Sequence, residues 1–163
     1  MRFVVDAMLG KVAIWLRLAG YDTLYSGTLD DDDALVISAE EDRILLTADE
    51  ELHQRAVERD LPTMLVRGSV DEKVAAVFHK FQISAIIDPS KARCSKCNGK
   101  LRRINTEQKE EIRDLVHENT YECYDTFWLC GDCHSVFFQG GYWENIRKYM
   151  HRITSMIEKL SKP

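Results

Sequence analysis

Four of the five cysteines form two CxxC pairs, a spacing at which a tight turn aims two thiolates at one point. Cys94 and Cys97 make the first pair, and Cys130 and Cys133 make the second. Four soft sulfur ligands suit a tetrahedral zinc ion, and a filled coordination shell leaves no place for a substrate. The pattern predicts a structural zinc site; free thiols, disulfides and a redox-active CxxC are the alternatives.

A fifth cysteine and a histidine lie close to this pattern but outside it. We expect Cys123 to be a small buried apolar side chain and His134, which follows the last zinc ligand, to lie at the surface. The module has little apolar sequence of its own, so metal binding should supply much of its stability. Metal removal should therefore loosen residues 91–145 first.

Aspartates at three places in the first half of the chain are candidates for a catalytic metal site. Asp6 follows the first predicted strand, Asp49 follows the third, and the run of aspartates at 30–33 precedes the second predicted helix. Residues just beyond the carboxyl ends of parallel strands converge on one crevice. Clustered carboxylates suit Mg²⁺ or Mn²⁺, which can activate water and neutralise charge during phosphodiester hydrolysis.

Helix capping is the alternative role for these acids, because aspartate is favoured at helix N-termini in any case. Asp6 could serve only as a cap. The segment 47–50 matches a capping box in which Thr47 and Glu50 make the reciprocal bonds and Asp49 is incidental. Spacing alone leaves both possibilities open.

An alternation of short β-branched runs with helical segments must position these residues through 1–88. The predicted strands are Arg2–Val5, Thr23–Tyr25, Arg43–Leu46 and Thr63–Val66. The predicted helices are Met8–Leu18, Asp33–Glu41, Glu50–Arg59 and Val70–Phe81. Such an alternation favours an α/β fold with a parallel sheet and helices on both faces, with Gly20 at a left-handed helix end.

The alternation stops at Asp88 and Pro89, and the cysteines begin five residues after the proline. We therefore predict an α/β domain over 1–88, followed by a zinc ribbon over 89–163. The ribbon contains a helical insertion at Thr106–Thr120. Apolar side chains at helical spacing in Trp143–Leu160 predict a terminal helix that packs back onto the core.

The two halves of the chain differ in charge. Residues 1–90 carry 9 basic and 17 acidic side chains, whereas residues 91–163 carry 13 basic and 10 acidic ones. An acidic half can concentrate divalent cations, and a mildly basic one can touch phosphate. We see neither a basic leader nor a long apolar stretch, so we expect no membrane insertion and a cytoplasmic location.

Four phrases of the sequence occur together in one order: MRFVVDAMLGKVAIWLRLAGYDT, RILLTADEEL, CSKCNGKL and WLCGDCHSVFFQGGYWENI. Together they resemble the Mut-seven C-terminal RNase domain family, and the resemblance covers nearly the whole chain. It implies a PIN-like nuclease domain followed by a zinc ribbon. It also implies endoribonuclease activity with Mg²⁺ or Mn²⁺, acting on RNA or on a ribonucleoprotein.

The resemblance also implies roles for particular acids. It matches Asp6 and Asp49 to acids of the active site, and the third acid comes from the aspartate run, where Asp32 and Asp33 are our candidates. Ala48 stands where family members often have an arginine. That departure weakens the expected phosphate contact but removes no carboxylate.

Three further residues fall on positions that the family tends to make basic, namely Lys11, Arg17 and Arg43. Lys11 and Arg17 are six residues apart on a predicted helix, so at most one of them can point at a substrate phosphate. For each of the three, the alternative is a solvated or ion-paired side chain. Tyr142 is a second departure, since the family often has a histidine there.

A basic cluster after the first CxxC pair is our candidate for RNA contact, through Lys100, Arg102 and Arg103. Basic side chains follow phosphates, and aromatic faces stack on unpaired bases, which suits single-stranded or looped RNA. We expect most aromatic residues around the second pair to pack within the ribbon instead. The basic cluster could equally be a solvated surface.

The leading hypothesis is therefore a metal-dependent ribonuclease with a structural zinc site. Its main rival is a non-catalytic RNA- or ribosome-binding zinc-ribbon protein, in which the acids only cap helices and the ribbon carries the function. A protein-binding adaptor without RNA affinity is the third possibility.

Overall fold

Four short strands in the first part of the chain form a parallel sheet. The structure, a computed structural model, describes residues 1–162. The strands are β1 (Arg2–Val5), β2 (Asp22–Tyr25), β3 (Ile44–Thr47) and β4 (Thr63–Leu65). Their order across the sheet is β2-β1-β3-β4, and Phe3 lies beside Thr23 and Ile44 in parallel register. The predicted parallel sheet is confirmed.

Helices follow the strands in the predicted order: α1 (Gly10–Leu18), α2 (Asp31–Glu40), α3 (Glu50–Glu58) and α4 (Val70–Lys80). A short 3-10 turn over Ala7–Leu9 precedes α1, where one continuous helix was predicted. The second helix begins at Asp31, two residues before its predicted start, because Asp30 is the residue that caps it. Gly20 follows α1 with a φ of +94°, the left-handed conformation that was expected there.

Helices cover both faces of the parallel sheet. Because successive strand residues point to opposite faces, Phe3 and Val5 face one way and Val4 faces the other. Phe3 and Val5 belong to a buried cluster with apolar residues of α1 and α4. Val4 belongs to a second cluster with residues of α2 and α3. The sheet is therefore buried on both sides, as a parallel sheet requires.

A second sheet, antiparallel, lies in the cysteine-rich part of the chain. Its strands are β5 (Leu101–Ile104), β6 (Phe127–Cys130) and β7 (Val136–Phe137), in that order. Its small core consists of Ile104, Ile112 and Phe127. The predicted helical insertion is divided into a 3-10 helix (Thr106–Leu115) and a separate α5 (Glu118–Cys123). The division arises because Val116 between them is extended.

The last helix, α6 (Gly141–Leu160), packs against α4. Met150 and Ile153 are buried in the same cluster as the residues of β1, so the predicted return of the chain to the core is confirmed. Leu160, the end of the predicted apolar face, is 51% exposed. Within residues 1–162, no helix has the length and apolar character needed to cross a membrane. The domain boundary at residue 88 stays a prediction.

Hydrogen bonds fasten the first CxxC turn to the edge of the parallel sheet at β2. Arg17, at the end of α1, is 4% exposed and donates from Nε to the carbonyl of Thr23 (3.0 Å). Its Nη1 donates to the carbonyls of Ser95 (3.1 Å) and Lys96 (3.3 Å). The backbone N–H of Thr23 donates in turn to Oδ1 of Asn98 (2.9 Å). The cysteine-rich module is therefore docked on the open edge of the sheet.

Asp22 lies at the centre of the same contact. Asn98 Nδ2 and Arg43 Nη1 both donate to its Oδ1 at 2.8 Å. Burial opposes the charged carboxylate, but the hydrogen bonds from Arg43 and Asn98 outweigh it and lower the pKa of Asp22. Arg43 also donates to Glu41 (2.7 Å). Arg43, like Arg17, is thus engaged within the fold.

Replacing Arg17 with methionine should lower the free energy of unfolding by about 3 kcal/mol, since buried carbonyl groups lose a charged donor. Arg17→Lys keeps the charge without the forked donor geometry, so it should recover only part of the loss. Urea unfolding measures both, with Arg59→Met at an exposed arginine as the control. An Arg17→Met protein as stable as this control would contradict the contact's role.

Candidate functional site

Four sulfur atoms converge beside the small antiparallel sheet. The Sγ of Cys94 lies 3.6 Å from that of Cys133, and the Sγ of Cys97 lies 3.4 Å from that of Cys130. All four lie within 4.8 Å of one another. Tetrahedral Zn–S bonds of about 2.3 Å place the sulfurs about 3.8 Å apart, so the cluster has the right size for zinc. The fold thus brings the four predicted ligands together as a group that could hold a metal.

The two CxxC turns close in the same way. Asn98 follows the first and His134 follows the second, and both are left-handed, with φ values of 71° and 58°. Their backbone N–H groups donate to the carbonyls of Cys94 (2.9 Å) and Cys130 (3.2 Å). Glycine is required at position 99, because a Cβ there would lie 2.7 Å from the Cys130 sulfur. The His134 ring is exposed, as expected, and its backbone shapes the turn.

Cys123 lies outside this cluster. The expectation that it is buried was wrong, because the short α5 that carries it has no buried residue.

Within the cluster, burial raises the pKa of Cys94 to about 12, whereas a hydrogen bond with Ser135 lowers the pKa of Cys133 to about 6. A metal must displace the remaining thiol protons, so its affinity should rise with pH.

Asp6 is buried between the carboxyl ends of β1 and β3. Its side chain accepts three hydrogen bonds, with Oδ1 taking the N–H of Met8 (2.6 Å). Its Oδ2 takes the N–H of Ala48 (2.9 Å) and the hydroxyl of Thr47. Asp6 therefore caps the 3-10 turn and also ties β1 to β3. An ionised carboxylate offers about four acceptor positions, so one remains open.

Asp49 caps α3 at the same edge of the sheet. Its Oδ1 accepts the N–H of Leu52 (3.0 Å), and within residues 1–162 its Oδ2 accepts no hydrogen bond. The predicted capping box between Thr47 and Glu50 is not formed. The Thr47 hydroxyl donates to Asp6 instead, and Glu50 is engaged in an ion pair.

The four aspartates at 30–33 have separate roles. Asp30 caps α2, accepting the N–H groups of Asp32 (2.8 Å) and Asp33 (3.1 Å). Asp32 makes an ion pair with Arg55 of α3. Asp31 takes part in neither contact, and its carboxylate is exposed.

Asp31 lies within electrostatic reach of the acids that follow β1 and β3. Desolvation and the negative charges of Asp49 and, more weakly, Asp6 raise the pKa of its carboxyl. In the described residues, the cysteines are the one group whose ligand atoms already lie together, so the three carboxylates stand further apart. A cation would have to draw the exposed Asp31 and Asp49 toward the fixed Asp6, with water completing its shell.

The basic cluster after the first CxxC pair contains paired and unpaired side chains. Arg102 makes an ion pair with Glu111 (2.6 Å). Lys100 and Arg103 are exposed, and neither has a carboxylate within ion-pair distance in residues 1–162. Neighbouring strand residues point to opposite faces, so Arg103 shares its face with Trp128, its register partner on β6.

Most aromatic residues around the second CxxC pair pack within the module, as expected. The ring of Phe138 lies 6.0 Å from that of Phe127 and 4.8 Å from that of Tyr124. Trp128 is 7% exposed, and its Nε1 has no hydrogen-bond partner in the described part of the chain. It borders a cleft between the small sheet and α6, which is also lined by Arg93, Leu101, Phe137, Tyr142 and Trp143.

These features define an α/β protein with acids at the carboxyl edge of a parallel sheet and a four-cysteine centre in a smaller antiparallel module. The chain belongs to the Mut7-C RNAse domain family, whose model matches residues 1–150. No curated protein and no solved structure shows significant similarity to it. Membership of an RNase family indicates a nuclease-like function with RNA as the substrate, and the resemblance seen in the sequence is confirmed.

Replacing Cys97 with serine should lower zinc affinity by more than about 100-fold, since even outer-shell changes at metal sites cost 10- to 100-fold. Cys97 is exposed, so the substitution leaves no cavity. Competition with a chromogenic chelator measures the affinity, and hydrogen exchange should show loss of protection in β5 and β6. Cys123→Ser, at an exposed cysteine outside the cluster, is the matched control. Equal zinc content in the two variants would contradict the assignment.

Proposed function

We propose that this protein is an endoribonuclease that hydrolyses RNA phosphodiester bonds with Mg²⁺ or Mn²⁺ held by Asp6, Asp31 and Asp49. The ion supplies charge neutralisation and activates water. One observation carries the proposal: Asp6 and Asp49 follow the adjacent parallel strands β1 and β3 at the same end of the sheet, and Asp6 accepts a hydrogen bond from Ala48, the residue before Asp49. Asp31, in the first turn of α2, is our candidate for the third ligand, because desolvation and the charges of Asp49 and Asp6 raise the pKa of its carboxyl.

The three carboxylates differ in their freedom to move. Asp6 is fixed by three hydrogen bonds, so it sets the position of the site. Asp49 caps α3 through one oxygen only, and Asp31 accepts no hydrogen bond among the described residues. One fixed and two adjustable ligands suit Mg²⁺, which needs close to octahedral geometry and keeps several water ligands.

The partner and the location belong to the same proposal. We propose that the RNA is structured or part of a ribonucleoprotein, and that the protein acts in the cytoplasm. The four clustered cysteines are free thiols placed as metal ligands and form no disulfide, which fits a reducing compartment.

The double variant Asp31→Asn with Asp49→Asn should lose about 1000-fold or more in cleavage rate. Several kcal/mol of transition-state stabilisation depend on the ion, and each tenfold in rate is about 1.4 kcal/mol. Asparagine caps helices as well as aspartate, so the start of α3 is preserved. Cleavage of a labelled RNA in Mg²⁺ and in Mn²⁺ measures the effect, and thermal melting checks the fold.

The matched control is Asp32→Asn with Asp33→Asn, which removes the same charge from the candidates favoured by the sequence. It should keep cleavage, since Asp32 is engaged with Arg55. Loss of cleavage in this control alone would indicate that Asp32 or Asp33, and not Asp31, is the third ligand. Full cleavage by the Asp31 and Asp49 double variant would end the metal-site proposal.

A second candidate function is RNA binding through the zinc module without cleavage. The observation that favours it is the cleft beside Trp128, where aromatic walls meet an indole N–H without an acceptor. Arg103 is unpaired on the same face of the small sheet. Aromatic faces and free cations are the equipment that single-stranded RNA binders use.

Replacing Arg103 with glutamine should weaken RNA binding and reduce the slope of log affinity against log salt by about 0.7, the value for one single-strand phosphate contact. Arg102→Gln should change neither quantity, since Glu111 already engages that arginine. Fluorescence anisotropy with a labelled RNA at several salt concentrations measures both. Identical slopes for the two variants would rule out contact through Arg103. RNA binding by the unmodified protein, with no cleavage in either Mg²⁺ or Mn²⁺, would favour this second function.

A further inference from the structure

A cleft opens beside the acids, between the beginnings of α1 and α4. It has a volume of about 370 Å³, and its lining includes Ala7, Met8, Lys11, Tyr25, Val70 and Lys73. Ala7 and Met8 directly follow Asp6, so one end of the cleft lies within two residues of the buried carboxylate. A substrate group bound in this cleft would therefore lie next to the residues that follow Asp6.

Two lysines in this cleft have no acidic partner. Lys11 is exposed and Lys73 is half-buried, and no carboxylate in residues 1–162 lies within ion-pair distance of either ammonium group. Several arginines elsewhere are ion-paired: Arg55 with Asp32, Arg67 with Glu50 and Arg152 with Asp71. Both ammonium groups are therefore free to pair with an incoming anion.

Two of the apolar side chains that line the cleft face solvent. Met8 is 73% exposed and Val70 is 46% exposed, and both lie at the mouth of the cleft. Tyr25 packs tightly against Gly10, where a Cβ would come within 2.5 Å of the Tyr25 hydroxyl oxygen. A pair of cations next to exposed apolar side chains matches the two parts of a nucleotide, its phosphate and its base.

We propose that this cleft binds one nucleotide of the RNA substrate adjacent to the cleaved bond. Lys11 and Lys73 contact its phosphate, and Met8 and Val70 contact its base or sugar. The inference rests on the proposed function for the nature of the ligand. Of the basic residues singled out in the sequence, Lys11 is the one left free for this role, because Arg17 and Arg43 are buried in hydrogen bonds.

The test uses the full-length Asp31→Asn, Asp49→Asn protein as the parent, so that RNA is bound but not cleaved. Fluorescein-labelled decauridylate is titrated at several salt concentrations. Lys11→Met with Lys73→Met should lower the slope of log affinity against log salt by about 1.4, at about 0.7 for each phosphate contact. The control, Lys80→Met with Lys159→Met, removes the same charge from exposed, unpaired lysines far from the cleft and should keep the slope of the parent.

A separate variant tests the apolar wall. Met8→Ala should weaken binding about tenfold, since covering the methionine side chain with the nucleotide contributes on that order, while leaving the slope unchanged. A slope for the Lys11 and Lys73 variant equal to that of the control, or a parent without measurable binding, would overturn the proposal. Cleavage by the unmodified protein is a separate measurement, so a failure of the nuclease proposal is distinguishable from a failure of this subsite.

Discussion

The open edge of β2 is the constraint on which the arrangement of the two modules depends. An edge strand leaves backbone N–H and carbonyl groups that must be satisfied by something else. Here the first CxxC turn satisfies them: Asn98 accepts from Thr23, and Arg17 joins the strand to the turn itself. A metal held by the cysteines would therefore also support the parallel sheet, away from the carboxylates that follow β1 and β3.

The two ends of α1 connect these functions. Its beginning follows Asp6 and the 3-10 turn at the carboxyl edge of the sheet, and its end carries Arg17 at the docked module. A helix of nine residues spans about 13 Å, so the acids and the cysteine centre are separated by a rigid element of fixed length. Charged residues are divided between the two ends of the parallel sheet. Carboxylates that repel one another lie at the carboxyl ends of the strands, whereas ion-paired arginines such as Arg43 lie at the opposite end.

The sequence was sufficient wherever a feature depended on local spacing. Apolar alternation located all four parallel strands to within about two residues, and the two CxxC pairs predicted the four cysteines that the fold brings together, because the chain itself sets those distances. Sequence reasoning failed where a residue far along the chain determines the hydrogen bond that a side chain makes. Local propensity cannot tell which of four adjacent aspartates caps α2, and the structure shows that it is Asp30. The choice of a third metal ligand among the others stays a prediction. The Thr47 box failed because that hydroxyl bonds to Asp6, 41 residues away.

The core of the parallel sheet is completed by the last helix of the chain. Met150 and Ile153 of α6 are buried together with Phe3 and Val5 of β1. During translation, the first strands therefore leave the ribosome long before α6, which joins α1 and α4 on one of their faces. N-terminal domains generally fold as units while synthesis continues. A nascent chain of this protein keeps apolar surface uncovered until the cysteine-rich segment and α6 have been made.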